Sequence, residues 1–208
     1  MLSYSKLDQF LIELQNSILS PRPAKRISPA QNILETELSA SDKKFCASLM
    51  RINHTGEICA QALYLGQALV AKDEQTKEHL LNAADEETDH LAWCAQRLEE
   101  LNDRPSILNL GFFSCSVLTG MLAGLFSDKI SLGFIAETEQ QVADHLSDHL
   151  LRLPEHDQKS RAIITQMQCD EIKHQQDALA AGGEALPQLI QLLMSLSSKI
   201  MTKSTYYI

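Results

Sequence analysis

Apolar residues recur at helical spacing along most of the chain, and four stretches carry the clearest stripes. Phe45, Leu49, Ile52, Glu57, Ala60 and Leu63 share one face of a long helix. Leu80, Ala83, Glu87, His90, Cys94, Leu98 and Leu101 share a face of a second. Two later stretches repeat the arrangement: Leu132, Ile135, Glu139, Val142, Leu146 and Leu150, then Ile164, Met167, Glu171, His174, Ala178 and Ala181. Residues three and four apart lie on one face of a helix, so each stripe points into a core. Each stripe nevertheless carries a glutamate at its middle.

Local signals set the expected boundaries. A short amphipathic helix is predicted from Ser3 to Leu19, followed by an irregular linker from Ser20 to Ala40 that holds Pro21, Pro23 and Pro29. Ser41 is expected to cap a helix reaching Ala71, and a second runs from Asp73 to Leu101. Pro105 suits the first turn of a third, very apolar helix ending at Phe126. Ser131 is expected to cap a fourth that ends before Pro154; a fifth spans Asp157 to Ala181 and stops at Gly182-Gly183. Leu186 to Met201 forms a last amphipathic helix. The fold class is therefore all-α: a four-helix bundle with two additional helices, the apolar crossover helix and the C-terminal helix. Residues 1–40 form an N-terminal helix and linker, and residues 41–208 a single helical domain.

The polar residues on the stripes form a repeat. Glu-x-x-His occurs at Glu87–His90 and again at Glu171–His174. Glu57 lies 30 residues before the first copy and Glu139 lies 32 before the second. Two helical hairpins related by a pseudo-two-fold axis account for this, with the apolar third helix crossing between them. A buried, unpaired carboxylate carries a penalty of several kcal/mol or more, and four together repel one another. Two dications remove both problems, with two glutamates bridging and each metal also taking one His and one terminal carboxylate. Carboxylate and imidazole without thiolate suit iron or manganese better than structural zinc. One Glu-x-x-His alone is weak, and Glu86, Glu87 and Asp89 read equally well as a solvated face; the doubling, with matched upstream glutamates, carries the assignment.

Other residues near the pattern are less constrained. His54 lies one turn before Glu57, His145 lies six residues after Glu139, and Asp170 adjoins Glu171; each is a candidate to orient a ligand from behind. His79, His149 and His156 read as surface residues. No catalytic residue beyond the metal ligands, and no separate cofactor-binding residue, is indicated. The net charge of −9 disfavours nucleic acid. Five cysteines without a Cys-x-x-Cys pair argue against a disulfide framework or a zinc ribbon, and suggest a reducing compartment with most thiols as small buried groups. Lys6, Asp8 and Glu13 break the N-terminal apolar run, unlike a signal peptide. No Gly-x-Gly-x-x-Gly fingerprint for a dinucleotide is present.

With the ligands in place, the chain resembles the demethoxyubiquinone hydroxylase family of ubiquinone biosynthesis from about Phe45 to the C-terminus. The resemblance rests on Arg51-Ile-Asn-His-Thr-Gly-Glu57, Glu87-Thr-Asp-His90, Glu139-Gln-Gln-Val-Ala-Asp-His145 and Asp170-Glu-Ile-Lys-His174. The Arg104-Pro105 start of the apolar helix is also similar. Gln140 stands where that family often has a second glutamate. The resemblance implies a ferritin-like fold, with Glu57, Glu87, His90, Glu139, Glu171 and His174 as ligands to two iron ions per subunit. It implies a di-iron monooxygenase that hydroxylates a polyprenylated demethoxy-benzoquinol with O2, with electrons from NADH or from the quinol. His145 matches a histidine the family carries near its site.

Such a substrate resides in a membrane. Ile107 to Phe126 contains no charged residue but includes Asn109, Ser114, Ser116 and Thr119, which suits peripheral contact at the cytoplasmic face of the cell membrane better than a span. Other ubiquinone-biosynthesis proteins and a second copy of the chain are expected partners. Three other classes share parts of the pattern. An iron-storage ferritin shares the bundle and the glutamates but not the paired Glu-x-x-His motifs. A tRNA-modifying di-iron hydroxylase can share the ligand set but needs a basic surface. A rubrerythrin relative would carry Cys-x-x-Cys. Tyr206-Tyr207-Ile208 suggests no role.

Overall fold

The computed structural model of the chain describes residues 5–19 and 22–208. The predicted start of the first helix at Ser3, and Ser20 and Pro21 of the linker, lie outside the described residues. All regular structure among the described residues is helical: α1 (Lys6–Leu14), which runs into a π-type turn at Gln15–Leu19, α2 (Ala40–Val70), α3 (Glu74–Glu100), α4 (Asn109–Phe126), α5 (Asp128–Arg152), α6 (Gln158–Ala180) and α7 (Gln188–Thr205). The chain is all-α, as its periodicity predicts. Helices α2, α3, α5 and α6 form the bundle, with α2 paired to α3 and α5 paired to α6; α4 crosses between the pairs along α2.

The capping residues differ from expectation. Ser39, not Ser41, caps α2 by accepting from the Asp42 amide. Ser127, not Ser131, caps α5 through the Ile130 amide, and Ser131 lies buried one turn inside. In both cases two serines near one helix start satisfy the same local signal, and helix length against the bundle decides between them. Pro105 stands outside α4, which begins at Asn109. Arg51 explains this: its Nε donates to the Arg104 carbonyl at 3.1 Å and its guanidinium pairs with Asp103, which holds the segment extended against α2. The other end of Arg51 donates to the Tyr206 carbonyl at 2.9 Å, so the C-terminal tyrosine anchors α7, whose helix extends past Met201 to Thr205.

Two of the inter-helix turns use the same device. After α3, Asn102 adopts φ 56°, and the Asp103 amide donates to the Leu98 carbonyl at 2.9 Å. After α6, Gly182 adopts φ 103°, and the Gly183 amide donates to the Ala178 carbonyl at 3.0 Å. A left-handed residue closing a 6→1 bond ends each helix and satisfies its last carbonyls.

Packing places the site. One apolar cluster joins Leu49, Met50, Trp93, Leu98, Leu146, Ile164 and Met167, and a second joins Tyr64, Leu80, Leu132, Ile135 and Ala178. The sequence numbers show the layering: on every bundle helix the glutamates and histidines fall between the two clusters. Each fully buried Leu, Ile, Met or Phe contributes about 1.5–3 kcal/mol, so two apolar layers clamp a polar one. Helix α2 is buried on nearly every face, because α4 covers the side that would otherwise meet solvent. There the backbones touch: a Cβ on Gly120 would lie 2.1 Å from the Leu63 carbonyl oxygen, and one on Gly66 2.2 Å from that of Val117. The stripes point inward with one exception, Ala181, which is exposed at the end of α6. Of the five free cysteines only Cys46 and Cys94 are fully buried, while Cys115 and Cys169 are exposed.

Candidate metal centre

All six predicted ligands meet at the centre of the bundle. Glu57, Glu87, His90 and Glu171 each offer one atom within 4.8 Å of the others, and so do Glu87, Glu139, Glu171 and His174. Glu87 and Glu171 belong to both groups. They lie between the other four, with Glu57 and His90 at one end and Glu139 and His174 at the other. His90 Nδ1 lies 2.7 Å from Glu87, 3.1 Å from Glu171 and 3.7 Å from Glu57. His174 Nδ1 lies 3.1 Å from Glu87 and 3.2 Å from Glu171. Both imidazoles thus aim the same nitrogen into the carboxylate cluster.

The electrostatics of this cluster favour added positive charge. Burial pushes the Glu57 and Glu139 carboxyls well above their ordinary range, and the neighbouring carboxylates push them further. Burial alone would make both histidines less basic. The facing carboxylates outweigh it, raising His90 well above normal and His174 to about 12. Without metal, then, protons neutralise the cluster. Several atoms still lack a hydrogen-bond partner: both oxygens of Glu87, one each of Glu139 and Glu171, and Nδ1 of His90. Converging carboxylate oxygens and imidazole nitrogens are the complement of a metal ion, and ligand protons leave when it binds. The residues fit a pair of divalent ions with carboxylate and imidazole ligands.

The outer nitrogens of the histidines are held in a matched pair. Asp170 of α6 lies 2.9 Å from His90 Nε2 on α3, and Glu86 of α3 lies 2.9 Å from His174 Nε2 on α6. Each carboxylate accepts a hydrogen bond from Nε2–H and leaves Nδ1 to face the cluster, which fixes the tautomer. Glu86, which by sequence reads equally well as part of a solvated face, carries a local signal: an acidic residue precedes each Glu-x-x-His. Partial burial works against ionised Asp170, but His90 and Arg26 hold its carboxyl at about 2.

The remaining candidates lie apart from the ligands. His54 is buried, makes no hydrogen bond to a ligand carboxylate, and is lowered to about 4 by burial. His145 faces a cavity and packs on His149, with ring centroids 4.0 Å apart. His149 is not a surface residue. It is fully buried, neither ring nitrogen has a partner, and burial takes it down to about 2. Its position three residues after Leu146 and four before Leu153 already places it on the core stripe. His79 is half-buried and His156 exposed. Asp89 is 4% exposed rather than solvated, because residues 22–38 cover it.

A cavity of about 450 Å³ leads to the cluster between α2, α4, α5 and α7. Glu57 forms part of its wall, and Leu63, Phe112, Phe134, Leu193 and Met194 make most of the rest apolar. Asn53, one turn before Glu57, also lines it; this amide is buried and neither Oδ1 nor Nδ2 has a partner. The sequence pattern gave no sign of Asn53 as a contact residue, since its unpaired state depends on what surrounds it. Of the helices that line the cavity, α4 exposes Leu118, Leu122, Leu125 and Phe126 to solvent, and α7 exposes Leu189, Leu192, Leu193 and Leu196.

Known proteins resemble the chain over nearly its whole length. Residues 44–205 match the family described as ubiquinone biosynthesis protein COQ7. A Pseudomonas aeruginosa protein named 3-demethoxyubiquinol 3-hydroxylase is 51% identical over 99% of this chain and 97% of its own length. Proteins of the same name from Azotobacter vinelandii and Legionella pneumophila are 53% and 52% identical. The alignment with the Azotobacter protein covers 99% of this chain and 97% of that protein, and the alignment with the Legionella protein covers both in full.

Proposed function

The chain belongs to the ubiquinone biosynthesis protein COQ7 family, and from that premise we propose that it is a di-iron monooxygenase hydroxylating a polyprenylated demethoxy-benzoquinol with O2. The observation that carries the metal is the pair of four-residue groups sharing Glu87 and Glu171. Glu57 and His90 would complete one iron site, Glu139 and His174 the other. When bound, the two ions supply O2 activation and redox chemistry, with electrons from the quinol or from NADH.

The protein supplies position and dryness. Cavities of roughly 300–1,000 Å³ suit small organic ligands, and this one is walled by apolar side chains with few polar atoms. The ring would lie against Glu57, with the Asn53 amide as its polar anchor. Its Oδ1 accepts from a quinol O–H, and its Nδ2 donates to a methoxy or carbonyl oxygen. An amide therefore serves both redox states of the ring without adding a fifth negative charge beside the ligands. The apolar walls exclude water and follow the polyprenyl tail outward between α4 and α7.

The exit of that tail sets the location. Asn109–Phe126 is long and apolar enough to cross a membrane, but 33% of it is buried in the bundle and its backbone is seated on α2. The helix instead lies in the interface, with Leu118, Leu122 and Leu125 entering the lipid at the cytoplasmic face of the cell membrane. Leu118 is 61% exposed, so Leu118→Glu leaves the fold intact. Withdrawing one leucine from lipid costs about 2 kcal/mol, which lowers vesicle affinity by about tenfold or more. Co-sedimentation with anionic vesicles measures this; unchanged partitioning would remove this face from the interface.

The reaction is tested in cells that accumulate the demethoxy precursor. Expression of the chain should restore ubiquinone in lipid extracts, and Asn53→Leu should bind iron normally yet convert the precursor poorly. Continued accumulation with the parent protein expressed and iron-loaded would refute the assigned reaction.

A further inference from the structure

The two metal positions share a plan but differ in what holds the outer carboxylate. Asp170 and Glu86 hold the two histidines at the same distance, but only Asp170 is itself held by a cation. Arg26 Nη1 donates to Asp170 Oδ2 at 2.9 Å, while its Nε donates to Asp89 Oδ2 at 2.7 Å. Arg26 Nη2 lies 3.3 Å from His90 Nε2; both are donors while Nε2–H donates to Asp170, so this is a close approach rather than a hydrogen bond. The guanidinium also stacks over Trp93 at 4.8 Å. Glu86, by contrast, is largely open to solvent and makes no bond to an arginine or lysine among the described residues.

The fold fixes Arg26 from both sides. Asp89 is buried, and its oxygens accept from the Lys25 amide at 2.6 Å and the Arg26 amide at 3.3 Å as well as from the Arg26 side chain. Farther along the same segment, Glu35 pairs with the fully buried Arg97 at 2.7 Å. The segment 22–38 is thus a strap tied at two points across the bundle. It precedes the residues matched by the family as a whole, 44–205, but falls within the full-length alignment with the Legionella protein.

We propose that this strap makes the two metal positions inequivalent, with Arg26 acting as a positioning residue for His90 through Asp170. The inference rests on the two-metal reading above. A planar guanidinium that bridges Asp89 and Asp170 leaves Asp170 one orientation, and Asp170 in turn leaves His90 one tautomer and one ring angle. Outer partners of a ligating histidine typically change metal affinity by about 10–100-fold when removed. Glu86 is free to move, so the His174 position should bind more weakly and exchange its metal faster. Coupling is reciprocal: metal at the His90 position should also tighten the strap.

The test is a cobalt(II) titration of the full chain, followed through the hyperfine-shifted, exchangeable Nε2 protons of the two ligand histidines. The parent protein should fill in two steps with two such resonances. Arg26→Gln should weaken the tighter step by about tenfold and speed solvent exchange of one resonance, leaving the other unchanged. Arg26→Lys should recover part of the loss. Glu86→Gln should affect the other step and the other resonance. Hydrogen exchange at the Lys25 and Arg26 amides should slow when cobalt binds. Equal shifts in both steps, no shift, or tighter binding in Arg26→Gln would each overturn the proposal while leaving two-metal binding standing. A parent protein that binds no cobalt would overturn both.

Discussion

Glu171→Ala is expected to empty the centre of both ions, because Glu171 belongs to both ligand groups. Loss of a shared ligand should weaken iron binding by more than the roughly 10–100-fold typical of an outer partner, and hydroxylation should fall to background. Glu139→Ala should be milder in metal content, since Glu139 belongs only to the His174 group and the His90 position keeps its four ligands. Iron analysis after anaerobic loading and desalting separates the two cases. Melting curves separate loss of ligand from unfolding. In the metal-free protein Glu171 faces both histidines, 3.1 Å from His90 Nδ1 and 3.2 Å from His174 Nδ1. Glu171→Gln keeps the shape of the side chain, so it should still melt cooperatively, while losing the stabilisation that iron gives the parent. Normal iron content and activity in Glu171→Ala would remove it as a ligand.

The second large effect is on stability. Gly120→Ala should destabilise the protein by about 3 kcal/mol, because overpacking costs about 1–3 kcal/mol and here the new Cβ meets backbone. The added atom would stand 2.1 Å from the Leu63 carbonyl oxygen, which cannot rotate away as a side chain can. Relief requires α4 to lift from α2, which would also widen the cavity between them. Gly111→Ala on the same helix is the control. Nothing lies within 4 Å of its new Cβ, and exchanging glycine for alanine in a helix should gain up to about 1 kcal/mol. Paired urea unfolding curves measure both. Equal midpoints for the two variants would show that α4 is not seated on α2.

The residues that sequence made legible are those whose environment is set by their own helix. A glutamate on an apolar stripe announces its burial locally, so the six clustered side chains could be named from spacing. The stripes also gave the helices, because a 3.6-residue period over more than twenty residues leaves little choice. Caps and covered faces were less legible. Ser39 and Ser41 offer the same chemistry two residues apart, and only the bundle chooses between them. Asp89 reads as solvated until a segment more than sixty positions away lies over it, and Arg26 reaches Asp170 across 144 positions. His149 belongs to a different class. Its position on the Leu146–Leu153 stripe was readable, but a histidine without an obvious partner was read as exposed.

The same division orders the functional account. Buried charge argues for two metals without reference to any relative, and family membership then supplies the reaction. The most direct measurement is the iron-edge anomalous scattering of crystals grown from anaerobically iron-loaded protein. Two peaks per chain are predicted, roughly 3.5–4 Å apart as in other two-metal sites. Glu87 and Glu171 should each contact both peaks, with His90 Nδ1 on one and His174 Nδ1 on the other. A single peak, no peak, or iron bound away from these six side chains would contradict the account.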